Sequence, residues 1–349
     1  MIRMDPRRSV ASTAVSLALA LLAGCSSGDA PGTAAETSSV AQPTCDRACL
    51  TDIADRYLAA LAARDAASLP MSEDVRYTEN GQHLALTDGL WGTASEVGAY
   101  RQLFIDSRGD ELGLFASMRE NGYAILLATR LRLEGGLIRE IESIVQRPTS
   151  RITPAIERLE REGSKPLWDE LIPEAQRMSR DDLIVTANKY FVGLEKNDGK
   201  GEYPFTPDCY RFENGNLATG NADMLRLAEE AEKRPHVSGQ PTPFGYRLMS
   251  YPCKEQFELG YMKMVDRVRD RRFPVVDVER GVVFTLVFFD HSGTVHEVTT
   301  TDGQSHQVGL RQPFTWEIAE AFKIENGQIR AIEAILTQSP YGMEPNWRE

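Results

Sequence analysis

The sequence predicts an α+β fold that occurs twice in one chain of 349 residues. Two helical segments with the same spacing of apolar residues, around Tyr57 and Tyr190, each precede a series of short, apolar or alternating strands. Pairs such as Asn121-Gly122 and Asn326-Gly327 separate those strands as hairpin turns would. A helix followed by an antiparallel meander is typical of domains whose helices cover one face of a sheet. We therefore expect two tandem domains, each with helices packed on a curved antiparallel sheet.

Residues 1–24 have the pattern of an export signal peptide. Arginines precede an apolar run that is too short to span a bilayer as a helix. The run ends at residues 22–25 (Leu-Ala-Gly-Cys), which resemble the lipobox of bacterial lipoproteins. The resemblance implies cleavage before Cys25 and lipidation of that residue. Because Ser26 rather than Asp follows, we expect attachment to the outer membrane, facing the periplasm. An ordinary signal peptide that contains a cysteine is the alternative.

The composition after the signal peptide divides the chain into a tether and a folded part. Residues 25–44 are rich in Ser, Thr, Ala, Gly and Pro, which predicts a flexible tether. The rest is long enough for two domains, which we place at 45–148 and 180–349 with an ordered linker at 149–179. The net charge of −12 argues against nucleic acid as a partner, because a phosphate-binding surface needs a basic field.

The cysteines predict disulfides rather than a metal site. Apart from Cys25 there are four, and an even number in an exported chain favours two bridges. We expect Cys209–Cys253, which closes a long loop. The remaining pair is Cys45–Cys49, although i,i+4 spacing on one helix is poor disulfide geometry. Metal binding is the competing explanation, but no histidine lies at a short ligand spacing from either pair, so we expect no metal and no cofactor.

Three matches in the same order indicate an internal duplication. The matched segments are residues 54–65 with 187–198, 70–81 with 204–215, and 131–142 with 322–333. Independent matches in one order are the mark of a repeat. Because the distance between matched residues grows along the chain, the second copy carries extra residues, which we place at about 221–275.

The strands are predicted where apolar residues alternate or run together between turn sequences. Strands are expected at 100–105, 112–118, 123–133 and 138–146 in the first copy, and near 275–278, 282–289, 314–324 and 329–338 in the second. The extra residues of the second copy contain two helical patterns, 222–233 and 253–268.

The order of these elements resembles the cone-shaped nuclear-transport-factor-2-like superfamily. The resemblance rests on three features in this order: a helix with Tyr-x-x-x-Leu, a short strand with Asp-x-x-x-x-Glu, and a meander that ends in Gly-x-Ile-x-x-Ile-Glu. SnoaL-like members include polyketide cyclases, scytalone dehydratase, limonene epoxide hydrolase and ketosteroid isomerase. The chain is also similar to a bacterial and secreted fungal family of unknown function, through Trp168-Asp169 and residues 269–277, 287–291 and 340–343. The resemblance implies a deep apolar cavity in each cone, suited to a small hydrophobic or aromatic molecule.

The resemblance to ketosteroid isomerase implies a catalytic tyrosine and a catalytic carboxylate in each copy. The helix tyrosine that donates a hydrogen bond to an enolate falls on Tyr57 and Tyr190, and the carboxylate that moves the proton falls on Glu79 and Glu213. The alternative is purely structural. A tyrosine on the apolar face of a helix is usually a core residue, and Glu-Asn-Gly is also a turn sequence.

Two further candidates lie in the second copy. Asp277 is the candidate for a third acid, although Arg271 and Arg272 beside it favour a structural ion pair. His291 is the candidate histidine, because scytalone dehydratase uses His with Asp and Tyr. The other histidines, His83, His236, His296 and His306, lie in loops, where solvated surface is the usual explanation.

Two functions are compatible with these residues. One is a cofactor-independent isomerase, dehydratase or lyase in the second copy, acting on a small apolar molecule. The other is a non-catalytic envelope protein that binds a hydrophobic ligand or is structural. An open cavity with a buried carboxylate or histidine favours the enzyme, whereas cones packed shut by aromatic side chains favour the alternative. In both cases we expect a monomer whose two domains form an internal pseudo-dimer.

Overall fold

The computed structural model describes residues 45–106, 108–150, 152–235 and 241–347. The predicted signal peptide, the lipidation site Cys25 and the tether at 25–44 lie outside the described residues, as does His236. Among the helices within them, none is long and apolar enough to cross a membrane.

The first domain consists of a long helix and a six-stranded sheet. Its elements are α1 (Arg47–Ala63), β1 (Met71–Glu79), β2 (Gln82–His83), α2 (Leu90–Thr93), β3 (Ala94–Asp106), β4 (Glu111–Glu120), β5 (Tyr123–Glu134) and β6 (Leu137–Gln146). The strand order is β2-β1-β6-β5-β4-β3. All neighbours pair antiparallel except β1 and β6, which are parallel. The sheet is therefore mixed, and the prediction of a purely antiparallel sheet was wrong at this pair.

The second domain repeats this plan after a linker that contains α3 (Thr153–Glu162). Its elements are α4 (Arg180–Lys196), β7 (Phe205–Glu213), β8 (Asn216–Leu217), α5 (Asp223–Glu232), α6 (Pro243–Leu248), α7 (Cys253–Glu258), β9 (Arg267–Asp277), β10 (Val282–His291), β11 (Glu297–Thr299), β12 (Ser305–Gln307), β13 (Phe314–Glu325) and β14 (Gln328–Ser339). The six-stranded sheet has the order β8-β7-β14-β13-β10-β9, again with one parallel pair, β7 and β14. The same order in both domains is the architecture expected of a duplication, and it gives an α+β protein.

The extra residues of the second copy lie in two places rather than one. Residues 218–266 occupy the position of residues 84–93, and residues 292–313 replace the tight turn at 121–122. The predicted helix 253–268 is also wrong beyond Glu258. The helix ends at Glu258, and Gly260, just after the cap residue Leu259, has a positive φ of 67° that suits glycine and breaks the helical path.

Helix α1 shows why the apolar spacing predicts a buried helix. The Asp46 side chain accepts a hydrogen bond from Cys49 N at 2.9 Å and caps the first turn. The helix ends at Arg64, which is left-handed with a φ of 57°. Tyr57 and Leu61, one and two turns after Ile53, are buried on the face toward the sheet.

Strand alternation divides the apolar side chains among three cores. In β13, Ile318 and Phe322 face the interior of the second domain, whereas Ala319 and Ala321 face the first domain. The first domain has its own core around Tyr57 and α1. The third core lies between the two sheets and includes Phe104, Phe115, Leu126, Ile144, Trp168, Phe284 and Ile335. The two sheets therefore pack face to face within one chain. That the chain is a monomer stays a prediction.

Both predicted disulfides are present. Cys209 in β7 is bonded to Cys253 at the start of α7, with Cα atoms 5.9 Å apart. Cys45 is bonded to Cys49. The objection from helical spacing does not apply, because Cys45 lies before the helix and only Cys49 lies in its first turn.

Candidate functional site

In the first domain the predicted tyrosine is a core residue. The Tyr57 ring is buried and lies edge-on to Trp91, with ring centroids 5.6 Å apart. Its hydroxyl is in hydrogen-bonding contact with Ser143 and Thr129, and burial raises the pKa of Tyr57 to about 12. The hydroxyls of Thr129 and Ser143 are also 3.0 Å apart. The hydrogen bonds lower the pKa of Tyr57 by less than burial raises it, so the hydroxyl is not made acidic.

Glu79, the predicted carboxylate of the same domain, is held by three donors. Its Oε2 accepts from the Tyr77 hydroxyl at 2.7 Å and from Leu90 N at 2.6 Å. Its Oε1 accepts from Arg147 Nη2 at 2.9 Å. A Cβ at Gly89, where φ is +56°, would collide with this carboxylate. Glu79 therefore fixes the backbone of α2 against β1, and its contacts are those of a structural residue.

The asparagine of each Glu-Asn-Gly segment is structural in both domains. Asn80 and Asn214 have positive φ values of 47° and 46°. The Asn80 side chain bonds both to Val145 N at 2.7 Å and to Val145 O at 3.1 Å. Asn214 binds Leu336 in the same way, at 2.9 and 3.0 Å. The amide extends the parallel ladder by one step, which explains why this turn sequence occurs twice.

In the second domain Tyr190 lies inside a cluster of aromatic rings. Phe191, Phe205, Phe257 and Phe322 surround it, with centroid distances between 5.2 and 6.4 Å. Burial raises the pKa of Tyr190 well above its ordinary value, and the nearby carboxylate of Glu320 adds to this effect. The space that the resemblance predicts as a cavity is thus occupied by side chains.

Glu320 is the site residue that the sequence interpretation missed. It lies on β13, is 2 % exposed, and its carboxyl lies against the Tyr190 hydroxyl. Burial raises the pKa of Glu320 to about 8, so it carries a proton at neutral pH. Its Oε2 has no hydrogen-bond partner among the described residues. Strand alternation between Ile318 and Phe322 places it in the second cone, so this residue could have been found from the sequence.

Arg211 and Glu213 on β7 complete the polar cluster of the second cone. Arg211 is buried, its Nε lies 3.2 Å from Glu213 Oε1, and its Nη2 donates to Gln256 of α7 at 3.1 Å. Burial alone would lower the pKa of Arg211, but Tyr190, Glu213 and Glu320 together raise it. The Glu213 side chain is 38 % exposed, and among the described residues this arginine is its only ion-pair partner. Its environment therefore differs from that of Glu79.

The first copy has neutral residues at most of these positions. The repeat alignment matches Glu320 with Thr129, Ala334 with Ser143, and Arg211 with Tyr77. The same fold thus accommodates Tyr57 without a carboxyl or a guanidinium at the positions of Glu320 and Arg211, although Glu79 is buried near it. The charged cluster is specific to the second domain.

Asp277 lies at the domain interface and not in a cone. Its Oδ1 and Oδ2 accept from Arg47 Nη2 and Nη1 at 2.8 and 2.9 Å, and Arg280 Nη1 lies 3.5 Å away. The predicted pairing with Arg271 and Arg272 was wrong. Those side chains bind Glu195 and Glu142 instead. A register shift in the β9–β10 pairing, between Arg272 and Val275, explains the difference, because it puts Arg271 and Asp277 on opposite faces of the sheet.

His291 is buried at the end of β10. Its ring stacks on Phe314 and lies edge-on to Trp316, each with a centroid distance of 4.5 Å. Nδ1 lies 3.3 Å from the carbonyl oxygen of Phe289, and burial lowers the pKa of His291 to about 4. The imidazole is therefore neutral at pH 7. His83 and His296 are exposed, and His306 stacks on Phe244.

Two cavities of the described residues lie outside both cones. A void of about 10 Å³ lies between the sheets beside Tyr100 and Glu333. A shallow groove of about 200 Å³ runs between β3 and the linker at Trp168. Within the described ranges, no three His, Cys, Asp or Glu side chains are arranged as metal ligands.

The fold and the site together define a class of protein. It is a two-domain α+β protein in which side chains fill the interior of each domain and a charged cluster lies in the second domain. A family model described as a domain of unknown function (DUF8021) matches residues 176–336, the second domain. No curated protein matches the chain.

Solved structures match parts of the chain. It is similar to a candidate isomerase from Bacillus subtilis, with 9 % identity over 45 % of this chain and 87 % of that chain, at a TM-score of 0.24. It is similar to a de novo designed protein with a curved β-sheet, with 13 % identity, coverage of 46 % and 88 %, and a TM-score of 0.22. The third similarity is to AclR, a candidate hydroxylase from Streptomyces galilaeus, with 17 % identity, coverage of 46 % and 83 %, and a TM-score of 0.22.

Proposed function

We propose that this chain is a non-catalytic envelope lipoprotein in which both domains have a structural role, tethered to the membrane through Cys25. The observation that carries the proposal is the filled interior of both cones. Trp91 packs on Tyr57 in the first, and Phe257 and Phe322 pack on Tyr190 in the second. Ligand sites are usually largely preformed cavities, and rings in mutual contact leave no such volume.

Ligand content tests the structural role. The mature protein is extracted from membranes and analysed by native mass spectrometry. We expect the mass of the lipidated polypeptide alone. A stoichiometric small molecule that co-purifies, and that is lost when Tyr190 is replaced by Phe, would contradict the proposal.

The anchor is tested separately with Cys25→Ser. We expect this variant to lose incorporation of labelled palmitate and to move from the membrane fraction to the periplasmic fraction. Ser26→Ala is the matched control and should stay anchored. Retention of Cys25→Ser in the membrane fraction would reject the anchor but not the structural role.

The second candidate is a proton-transfer enzyme in the second domain, and the charged cluster favours it. A buried acid with a displaced pKa in a cluster that the other copy lacks is a recognised mark of a functional site. In this candidate, Tyr190 and the protonated Glu320 donate hydrogen bonds to a carbonyl oxygen, and Glu213 removes a proton from the adjacent carbon. Phe257 would have to leave the Tyr190 ring to admit the substrate.

Hydrogen–deuterium exchange at the α-carbon of small cyclic ketones tests the enzyme candidate. If it is correct, the protein accelerates the exchange, and Glu213→Gln and Glu320→Thr each lower the rate at least about a hundredfold. Glu79→Gln, the equivalent change in the first domain, is the control and should leave the rate unchanged. No acceleration with any ketone would leave the structural role as the function.

A further inference from the structure

The interface between the two sheets contains more carboxylates than its buried cations can neutralise. Glu142 on β6, Glu317 on β13 and Glu333 on β14 are each 5 or 6 % exposed. All three lie on the strand faces that pack against the other domain, among the residues of the third core. Burying an ionised carboxylate is expensive unless it is paired and hydrogen-bonded.

Glu142 and Glu317 share one arginine. Arg272 Nη2 from β9 binds Glu142 Oε1, and Glu317 lies near both residues. The other cation near Glu142 is Arg130, 3.7 Å away, which is already bound to Glu111 and Glu140. With both Glu142 and Glu317 ionised, one arginine would face two buried negative charges.

The contacts of Glu317 indicate where the proton resides. Its Oε2 and Glu142 Oε2 have no hydrogen-bond partner among the described residues. Burial, with the charge of Glu142 as the next cause, raises the pKa of Glu317 to about 8. Glu317 is therefore protonated at neutral pH, while Glu142 keeps Arg272 as its partner.

Glu333 forms a second proton-binding position in the same interface. Its Oε1 accepts from Trp168 Nε1 at 2.9 Å and its Oε2 lies 3.0 Å from the Tyr100 hydroxyl. Lys165 and Tyr210 are the other titratable groups near it. Burial raises the pKa of Glu333 to about 7 despite its two hydrogen-bond donors. The linker, β3 and β14 thus meet at one carboxyl group.

We propose that the sheet-to-sheet interface is a proton-dependent joint, which stays closed while Glu317 and Glu333 carry protons and opens more often when they release them. The unpartnered, buried oxygen atoms of Glu317 and Glu142 and the single shared arginine carry the inference. Loss of a proton from Glu317 puts two like charges on one buried cation, and separation of the sheets lets water reach both. Arg47–Asp277 and the other interdomain ion pairs limit the opening.

The experiment measures opening of the joint by thiol labelling. Ala331 is fully buried in the interface, and Ala187 is fully buried in the second cone, so Ala331→Cys and Ala187→Cys report on the two places separately. Labelling rates are corrected for ionisation of the thiol with an unstructured reference peptide. When the joint closes faster than the open thiol is labelled, the labelling rate is proportional to the equilibrium constant for opening.

For Ala331→Cys we expect the corrected rate to rise between pH 6 and 8, by up to about tenfold per pH unit for each of the two protons released on opening. Ala187→Cys should label more slowly throughout this range. Adding Glu317→Gln and Glu333→Gln to Ala331→Cys should remove the rise, since glutamine has the shape of the protonated acid. Glu320→Gln is the matched control, a buried acid in the cone, and should leave the rise in place.

Glu142→Gln provides a second measurement that does not touch the titrating groups. It frees Arg272 for Glu317, so the steep part of the pH dependence should move to lower pH. The proposal is overturned if the Ala331→Cys rate is independent of pH. It is equally overturned if Glu317→Gln with Glu333→Gln leaves the slope unchanged. Either result would leave the structural role intact, because the filled cones do not depend on this joint.

Discussion

Arg47 binds both carboxylate oxygens of Asp277 across the domain interface, at 2.8 and 2.9 Å. The pair is reciprocated, because Arg180 binds Asp106 in the opposite direction. Arg47 and Arg180 are the first residues of the equivalent helices α1 and α4, and Asp106 and Asp277 are the last residues of the equivalent strands β3 and β9. Each helix N-terminus is thus fastened to the edge strand of the other domain, as in a twofold-symmetric dimer.

Removing Arg47 should therefore destabilise the whole chain. Asp277 is almost fully buried, and Arg47→Ala leaves Arg280, at 3.5 Å, as its ion-pair partner among the described residues. We expect the free energy of unfolding to fall by about 3 kcal/mol, since a buried carboxylate loses the partner that binds both of its oxygens. Urea denaturation measures this. Arg56→Ala, in the same helix with an exposed partner, should change it by less than about 1 kcal/mol.

The two glutamates of the Glu-Asn-Gly segments should differ in importance. Glu79→Gln weakens contacts to Tyr77, Leu90 and Arg147, and we expect it to lower the free energy of unfolding by about 2 kcal/mol. Glu213→Gln disturbs one partly exposed ion pair and should cost less than about 1 kcal/mol. Equal costs would show that the two positions are equivalent, contrary to their contacts.

Stability should depend on pH through Glu320. Because its pKa rises from 4.5 to about 8 on folding, the folded chain keeps a proton that the unfolded chain releases above pH 4.5. The contribution of this group to stability is full below pH 4.5 and is lost as the pH rises toward 8. Glu320→Gln should therefore match the wild type at pH 4 and exceed its free energy of unfolding by about 5 kcal/mol at pH 9. An unchanged pH profile would contradict this. Thr129→Glu should introduce the same slope in the first domain.

The two disulfides should contribute unequally. Cys209–Cys253 spans 44 residues of sequence, and Cys45–Cys49 spans four. The entropy of loop closure gives about 4 kcal/mol for the first and about 2 kcal/mol for the second. Serine replacement of each pair, followed by urea denaturation without reductant, measures the difference. A larger loss from the Cys45–Cys49 variant would contradict the expected order.

The two similar domains, the two long helices, most strands and both disulfide pairings follow from the sequence. These features depend on local periodicity, turn residues and matched spacing, and all of them are present in the linear pattern. Glu320 was also within reach, because alternation along β13 places it beside Ile318 and Phe322. The sequence pattern did not reveal that the extra residues are split into 218–266 and 292–313. Strands β9 and β10 separate the two segments, and β9 begins at Arg267, before the apolar residues that predicted a strand near 275–278.

Only the tertiary structure decided what the site residues touch. Tyr57 and Tyr190 share a helix position, yet Tyr57 contacts the neutral hydroxyls of Ser143 and Thr129, whereas Tyr190 lies beside Glu320 and Arg211. Glu79 and Glu213 share a turn, yet Glu79 is buried with three donors, whereas Glu213 is partly exposed beside Arg211. The ion pair of Asp277 could not be predicted from local sequence, because its partner Arg47 lies 230 residues away in the chain. Burial and long-range pairing set the protonation and role of a side chain, and neither is encoded in local spacing.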